Sequence, residues 1–497
     1  MRLSSFRGAF WGFLSLTASA ACARVTGAPN PSTDERAALR HAIDSMLAAP
    51  DTRHARWGVL IVDPERGDNL YSRDAGKLFV PASNMKIVTA AVALETLGPD
   101  FSFATPILTR GALRDSVLDG DLLVMGRGDP SVSDHMAGDA MLPLRAIADS
   151  LWQRGIRVVR GKLEAFGDAF PDAHAGFGWG WDDLDETYGA TIDELLFNEG
   201  FADIHVRAGQ SPGEPIATRV SPARTFPRLR VEATTVVRGI GRDSLARLEA
   251  VKDTLRGDVV LKGTIPAGDS AVVSVTFRDP DEAYLAALAE ALRDRGITIV
   301  DSMLASATTS DTLFVLQSPP LSQILAAFMK PSQNQLGEML FKSVALARAD
   351  TGSARIARRL FTEQLRGWGA ESDGFIVWDG SGLSRRDMVS PETVVRVLDT
   401  MRRSPNFQAY YDAMPIAGVD GTLRTRMRGT TGEGNVHGKT GTLGNVRSLS
   451  GFVTTAGGAT LIFSVLCNNY LVSTDYVSRV QDSVAVRLTR LHLRSAR

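Results

Sequence analysis

Ser83 and Lys86, in "PASNMKIVTAAVALETLG", stand three residues apart, so a helix would stack hydroxyl and amine on one face. A serine hydroxyl is a poor nucleophile until a base removes its proton. Lysine serves as that base only when burial or a neighbouring cation lowers its pKa. Taken alone, the pair competes with a plainer reading, an N-cap serine followed by a solvated lysine. Lys86 is nevertheless the only lysine in the chain with a serine three positions before it. A second stretch, Ser332-Gln333-Asn334 in "MKPSQNQLGEMLFK", would set a hydroxyl and an amide at the edge of a predicted helix. The similar Ser404-Pro405-Asn406 reads as an exposed turn. The third stretch is "HGKTGTLGN", His437 to Asn445. A phosphate-cradling loop would need glycine five residues before Gly438, where Glu433 stands, and a helix after it. Loop-then-strand context instead places Lys439-Thr440-Gly441 on a strand, where glycine permits close backbone approach and the Thr442 N–H could face a developing oxyanion.

In this order, Ser-x-x-Lys, Ser-x-Asn and Lys-Thr-Gly form the motif set of penicillin-recognising serine enzymes. With "GWGWDDL", "DGSGLSRRDMVSP", "PIAGVDGTLRTRM" and "GKTGTLGNVRSLSGF", nearly the whole mature chain resembles the class C penicillin-binding proteins, the D-alanyl-D-alanine carboxypeptidase/endopeptidases. The gap of 332 − 83 = 249 residues leaves room for the inserted domains of that family; class A β-lactamases keep these two motifs close together. The resemblance implies an acyl-enzyme at Ser83, with Lys86 as general base. Ser332 would relay a proton to the leaving D-alanine, and Asn334 would orient Lys86 and the substrate amide. Lys439 and Thr440 would receive the terminal carboxylate. The N–H groups of Ser83 and Thr442, with Gly441 beside them, would form the oxyanion hole. Arg385, in "DGSGLSR", matches a family position that contacts the peptide side chain, and Asp168, in "FGDAF", loosely matches an acid that meets a diaminopimelic amine. Gln335 departs from the leucine that often follows the family motif. "ELLFNEG" faintly resembles a β-lactamase deacylation loop, but it precedes Ser332, so Glu194 reads as structural. The implied partners are peptidoglycan peptides, with β-lactams as covalent inhibitors and no cofactor. A β-lactamase, a D-amino-acid esterase and a non-catalytic peptidoglycan-binding homologue remain alternatives, although all three motifs are intact.

These residues need a large scaffold. At 497 residues the chain exceeds one ordinary hydrophobic core. Basic and acidic side chains, 55 against 56, balance, and nothing here suggests a nucleic-acid partner. Seven histidines form no His-Glu-x-x-His cluster, and two cysteines, Cys22 and Cys467, give neither a disulfide framework nor a cysteine-based metal site. Arg2, Arg7, the apolar run from Ala9 to Ala18 and the small residues after it form an export signal. Ala18-Ser19-Ala20 fits cleavage to a soluble form in the periplasm or cell envelope. Cys22 offers the alternative of a lipid anchor and peripheral membrane association, but Ser19 stands where a lipoprotein signal usually has leucine.

Helical spacing in "ERAALRHAIDSMLA" and strand-like "WGVLIVDPERGDNLYSRDAGKLFV" open the mature chain, and the strands "RSLSGFVTT" and "ATLIFSVLCNN" precede a final helix. One sheet closed by distant segments follows. From about Phe103 to Asp301 short β-like runs dominate. The expected fold is α/β: a penicillin-recognising transpeptidase/β-lactamase-like domain, an antiparallel sheet flanked by helices, with inserted β-rich domains. The expected boundaries are 1–23 for the signal peptide, 33–104 with 302–497 for the serine DD-peptidase domain, and 105–301 for the insert.

Overall fold

The computed structural model describes residues 33–239, 245–252, 258–301 and 310–495. The expected leader and cleavage site, and Cys22, lie outside the described residues. In the strand Thr460–Asn468, Leu461, Phe463, Val465 and Cys467 join one apolar core while Ile462 and Leu466 join another. This period of two, apolar on both sides, is what a strand covered on both faces requires. It is the middle of a five-stranded sheet in the order 68–73, 56–63, 460–468, 446–454, 437–443. Every neighbouring pair is antiparallel. The first strands of the mature chain therefore pair with nearly its last, as the pattern of strands at both ends implies.

The terminal helices Thr33–Leu47 and Thr474–Thr489 cover one face of this sheet, packing onto Val59, Leu449 and Phe463. Met85–Leu97, Leu321–Met329, Asn334–Ala349, Ala354–Gly367 and Pro391–Arg402 fill the other face with Leu60, Phe452 and Ile462. Met85 to Leu94 is buried residue after residue, so this helix is apolar all round and runs through the centre of the layer. Lys86 is the one charge that it carries inside.

The chain leaves this body along Ala104–Thr109 and returns along Asp311–Gln317, two strands that pair with each other. Between them lie short sheets and a separate apolar core that includes Ile107, Val124, Ile204 and Leu288. This region is less purely β than its sequence texture predicts. Met141–Gln153 is a helix that buries Leu144, Ile147, Ala148 and Leu151 at helical spacing. Pro143 stands in its first turn, where a missing N–H breaks no helical bond.

Candidate active site

Ser83 lies in the short 3-10 turn Ala82–Asn84 that leads into the Met85–Leu97 helix, so Lys86 follows one turn later. The turn is held from both sides. Asn84 Nδ2 donates to the Lys439 carbonyl at 2.8 Å, and Ser448 Oγ donates to the Pro81 carbonyl at 2.8 Å. Ala82 sits at φ +48°, and a Cβ on Gly382 would approach its carbonyl oxygen to 2.0 Å, so glycine is required there.

Lys86 is fully buried, with Nζ 3.0 Å from Ser83 Oγ, 2.6 Å from Asn334 Oδ1 and 2.6 Å from the Ser381 carbonyl. Loss of water pushes its pKa down to about 7, against the pull of Asp379, Glu338 and Asp387. Ser332, at φ +69° in the turn before the Asn334–Ala349 helix, accepts from Lys439 Nζ at 2.8 Å. Lys439 is also fully buried, and burial, then the charges of Lys86 and Arg447, hold its pKa well below the ordinary lysine value. Asn334 Nδ2 donates to the Tyr188 carbonyl at 2.8 Å, and Gln335 Nε2 to the carbonyls of Thr187 and Ala190 at 2.9 and 3.3 Å. The Gln335 that replaces an expected leucine thus ties the helix to the inserted region.

Lys439, Thr440, Gly441 and Thr442 run along His437–Leu443, an edge strand of the sheet. A Cβ on Gly441 would lie 2.1 Å from Ser448 Oγ, 2.7 Å from the Pro81 carbonyl and 2.9 Å from the Ser83 nitrogen. Glycine is what lets the strand close on the Ser83 N–H. Ser83, Ser332, Asn334, Thr440, Gly441, Thr442 and Arg385 together line a cleft of about 760 Å³. Its third wall, Gly178, Gly180, Asp182, Asp183 and Tyr188, comes from the insert. Arg385 is exposed at the mouth and donates to the Gly444 carbonyl at 2.5 Å.

Asp168 does not join this group. It is exposed just after the strand Leu163–Phe166, where Gly167 at φ +106° turns the chain, and the acids that reach the cleft are Asp182 and Asp183. Glu194 also lies outside the cleft lining; its buried carboxyl accepts the Phe170 N–H at 3.3 Å, and its pKa rises to about 7 because burial disfavours the charge. Ser404 and Asn406 both bond Glu95 at the surface. The motifs alone did not point to the layer beneath Lys86: the Ser381 carbonyl, Glu338, Asp379 and Asp387. The glycine-flanked "DGSG" run was the available signal.

A five-stranded antiparallel sheet between helical layers, with a serine-lysine pair under its edge strand and two further motif walls, defines a penicillin-recognising active-site serine hydrolase. The chain belongs to the D-Ala-D-Ala carboxypeptidase 3 (S13) family, whose model matches residues 39–491. It is thus a serine-type D-Ala-D-Ala carboxypeptidase, a peptide hydrolase. It is 35% identical over 467 residues to a D-alanyl-D-alanine carboxypeptidase of Actinomadura sp. (strain R39), covering 90% of this chain and 84% of that protein. Over 426 residues it is 30% identical to the D-alanyl-D-alanine carboxypeptidase DacB of Haemophilus influenzae, covering 82% and 84%. The crystal structure of penicillin binding protein 4 (dacB) from Haemophilus influenzae shares the fold, with a TM-score of 0.76 at 24% identity over 90% of this chain and 99% of that one.

Proposed function

We propose that the cleft removes the terminal D-alanine of peptidoglycan stem peptides, and cleaves related cross-links, through an acyl-enzyme at Ser83. The observation that carries this reading is the buried Lys86 amine, 3.0 Å from Ser83 Oγ with its pKa brought down to about 7. Neutral Lys86 takes the hydroxyl proton as Ser83 Oγ attacks the carbonyl carbon of the scissile bond. The N–H groups of Ser83 and Thr442 stabilise the oxyanion. As the C–N bond breaks, Ser332 passes a proton to the departing D-alanine nitrogen and recovers one from the lysines beside it. Water then attacks the ester, the acyl–oxygen bond breaks, and Ser83 regains its proton. Asn334 orients Lys86, while Lys439 and Thr440 receive the terminal carboxylate.

A stem-peptide side chain that carries both carboxylate and amine suits a cleft lined by Arg385 together with Asp182 and Asp183. β-Lactams enter the same cycle as acylating inhibitors; the Haemophilus influenzae relative was crystallised with one. The leader supports export to the periplasm or cell envelope. Fluorescent penicillin followed by peptide mapping tests the assignment: label is expected on Ser83, and Ser83→Ala should abolish both labelling and D-alanine release while leaving the thermal melt in place. Labelling that survives the substitution excludes Ser83.

A further inference from the structure

One acceptor of Lys86 belongs to none of the three motifs. The Ser381 carbonyl lies 2.6 Å from Nζ, in a loop 295 residues further along the chain. A neutral amine has two N–H bonds and one lone pair. With Asn334 Oδ1 and the Ser381 carbonyl each at 2.6 Å, both N–H bonds are taken, and the lone pair is left for Ser83 Oγ at 3.0 Å. The direction of the Ser381 carbonyl therefore decides whether the base faces its target.

The chain just before that carbonyl is held by a side chain from another element. Glu338, one turn after Asn334 on the same helix and 4% exposed, accepts the N–H groups of Gly380 and Ser381 on one oxygen, Oε1, at 3.0 and 2.8 Å. Helix and loop touch here through bare backbone: a Cβ on Gly380 would lie 2.4 Å from the Gly337 carbonyl. Asp379 holds the peptide unit that carries the Ser381 carbonyl, accepting the Gly382 N–H at 2.6 Å, and it accepts from the Ser384 N–H and Trp179 Nε1 at 2.7 and 2.9 Å. Asp387 accepts the Trp378 N–H at 2.6 Å.

We infer that Glu338 is a positioning residue for the catalytic base: by holding the Gly380 and Ser381 N–H groups it anchors the residue whose carbonyl, in the peptide unit that Asp379 holds through the Gly382 N–H, turns the Lys86 lone pair toward Ser83. The inference rests on the proposed role of Lys86. The charged groups around the pair are Asp379 and Asp387 from the loop, Lys439 from the strand, and Lys342 one turn along the helix. Asp172, His174 and Arg358 line, with Glu338 and Lys342, a small cavity of about 220 Å³ behind it. Burial, followed by the charge of Asp379, raises Glu338 to about 8, so a neutral carboxyl does the holding at pH 7. Glutamine keeps the accepting oxygen and cannot ionise.

The test compares Glu338→Gln and Glu338→Ala, measuring penicillin acylation rate against pH together with thermal melts. Glu338→Gln should acylate within about threefold of the parent at pH 8, with the acid limb left near pH 7, because the carboxyl it replaces is neutral there and glutamine keeps the accepting oxygen. Glu338→Ala should be slower by about tenfold or more per folded molecule. A smaller loss in alanine, an equal loss in glutamine, or a glutamine limb displaced from that of the parent overturns the inference. If the alanine variant does not fold, the glutamine profile alone decides. The parent's own profile separates this outcome from failure of the Lys86 assignment, since a parent without an acid limb near pH 7 would refute the base itself.

Discussion

The cleft has two buried lysines, and their surroundings differ in charge. Around Lys86 three carboxyl side chains pull its pKa back up against burial, and the amine settles near 7. Around Lys439 the neighbours that shift it are cations, Lys86 and Arg447, so every influence pushes the same way. Arg447 is itself brought down to about 10, by burial first and then by Arg426. The same residue type, equally buried, is thus charge-compensated at one position and short of negative charge at the other. The first arrangement suits proton exchange. The second suits a ligand that brings its own carboxylate.

The largest expected effect breaks the first half of this comparison. Lys86→Arg leaves a cation that stays protonated, and acylation by penicillin should fall by about 10³ or more. In the parent, the folded pKa lies below the ordinary lysine value, so the neutral amine grows as pH rises through about 7. The acylation rate should rise there and flatten above. Stopped-flow rates from pH 5 to 9 check both statements. An arginine variant of near-parental speed, or a flat parental profile, refutes the base assignment.

The second half is tested at Lys439. A carboxylate ligand supplies the missing charge and raises the Lys439 pKa toward its ordinary value, so across a pH series binding should draw protons from the buffer between the free and bound values. Calorimetry in two buffers of different ionisation enthalpy measures that uptake. Lys439→Gln should lose the uptake, and about 10² in acylation efficiency toward carboxylate-bearing β-lactams. Binding without proton uptake in the parent would show that Lys439 is already fully charged in the empty cleft.

Much of this site was legible in the sequence because its motifs are local. Ser83 and Lys86 are fixed by one helical turn, and Lys439 to Thr442 by one strand. The strand-like runs "RSLSGFVTT" and "ATLIFSVLCNN" likewise announced one sheet closed by distant segments. What stayed hidden depends on contacts between distant segments. Glu338 reaches a loop 43 residues away, and Asn334 meets a carbonyl 146 residues before it. No spacing rule encodes those distances. Asp168 shows the same limit: in a loop, the chain's path decides which acid reaches the cleft. The path here delivers Asp182 and Asp183. Gln335 is the intermediate case, an unexpected residue visible in the sequence whose partners, Thr187 and Ala190, only the fold supplies.

The smallest expected effect concerns Arg385, which lies at the mouth and away from both lysines. Its Nη2 donates to the Gly444 carbonyl at 2.5 Å, bridging the loop after Asp379 and the turn after the Lys-Thr-Gly strand. A carbonyl accepts a hydrogen bond without neutralising the guanidinium, and among the described residues no carboxylate lies in ion-pair range of it. The charge therefore remains available for two-point pairing with a ligand carboxylate, a geometry that lysine does not reproduce. Such contacts are remote from the scissile bond and act on binding of the longer ligand. Arg385→Ala should lower kcat/KM for a stem peptide ending in a charged side chain by about tenfold, leaving acylation by a small penicillin within about twofold. Arg385→Lys should recover only part of the peptide loss. The bridge to Gly444 makes the opposite prediction if its main service is to the loop, since a loosened mouth would slow both ligands alike. Measuring the two rates on the same variant decides between recognition and scaffolding, because only recognition distinguishes the peptide from the penicillin.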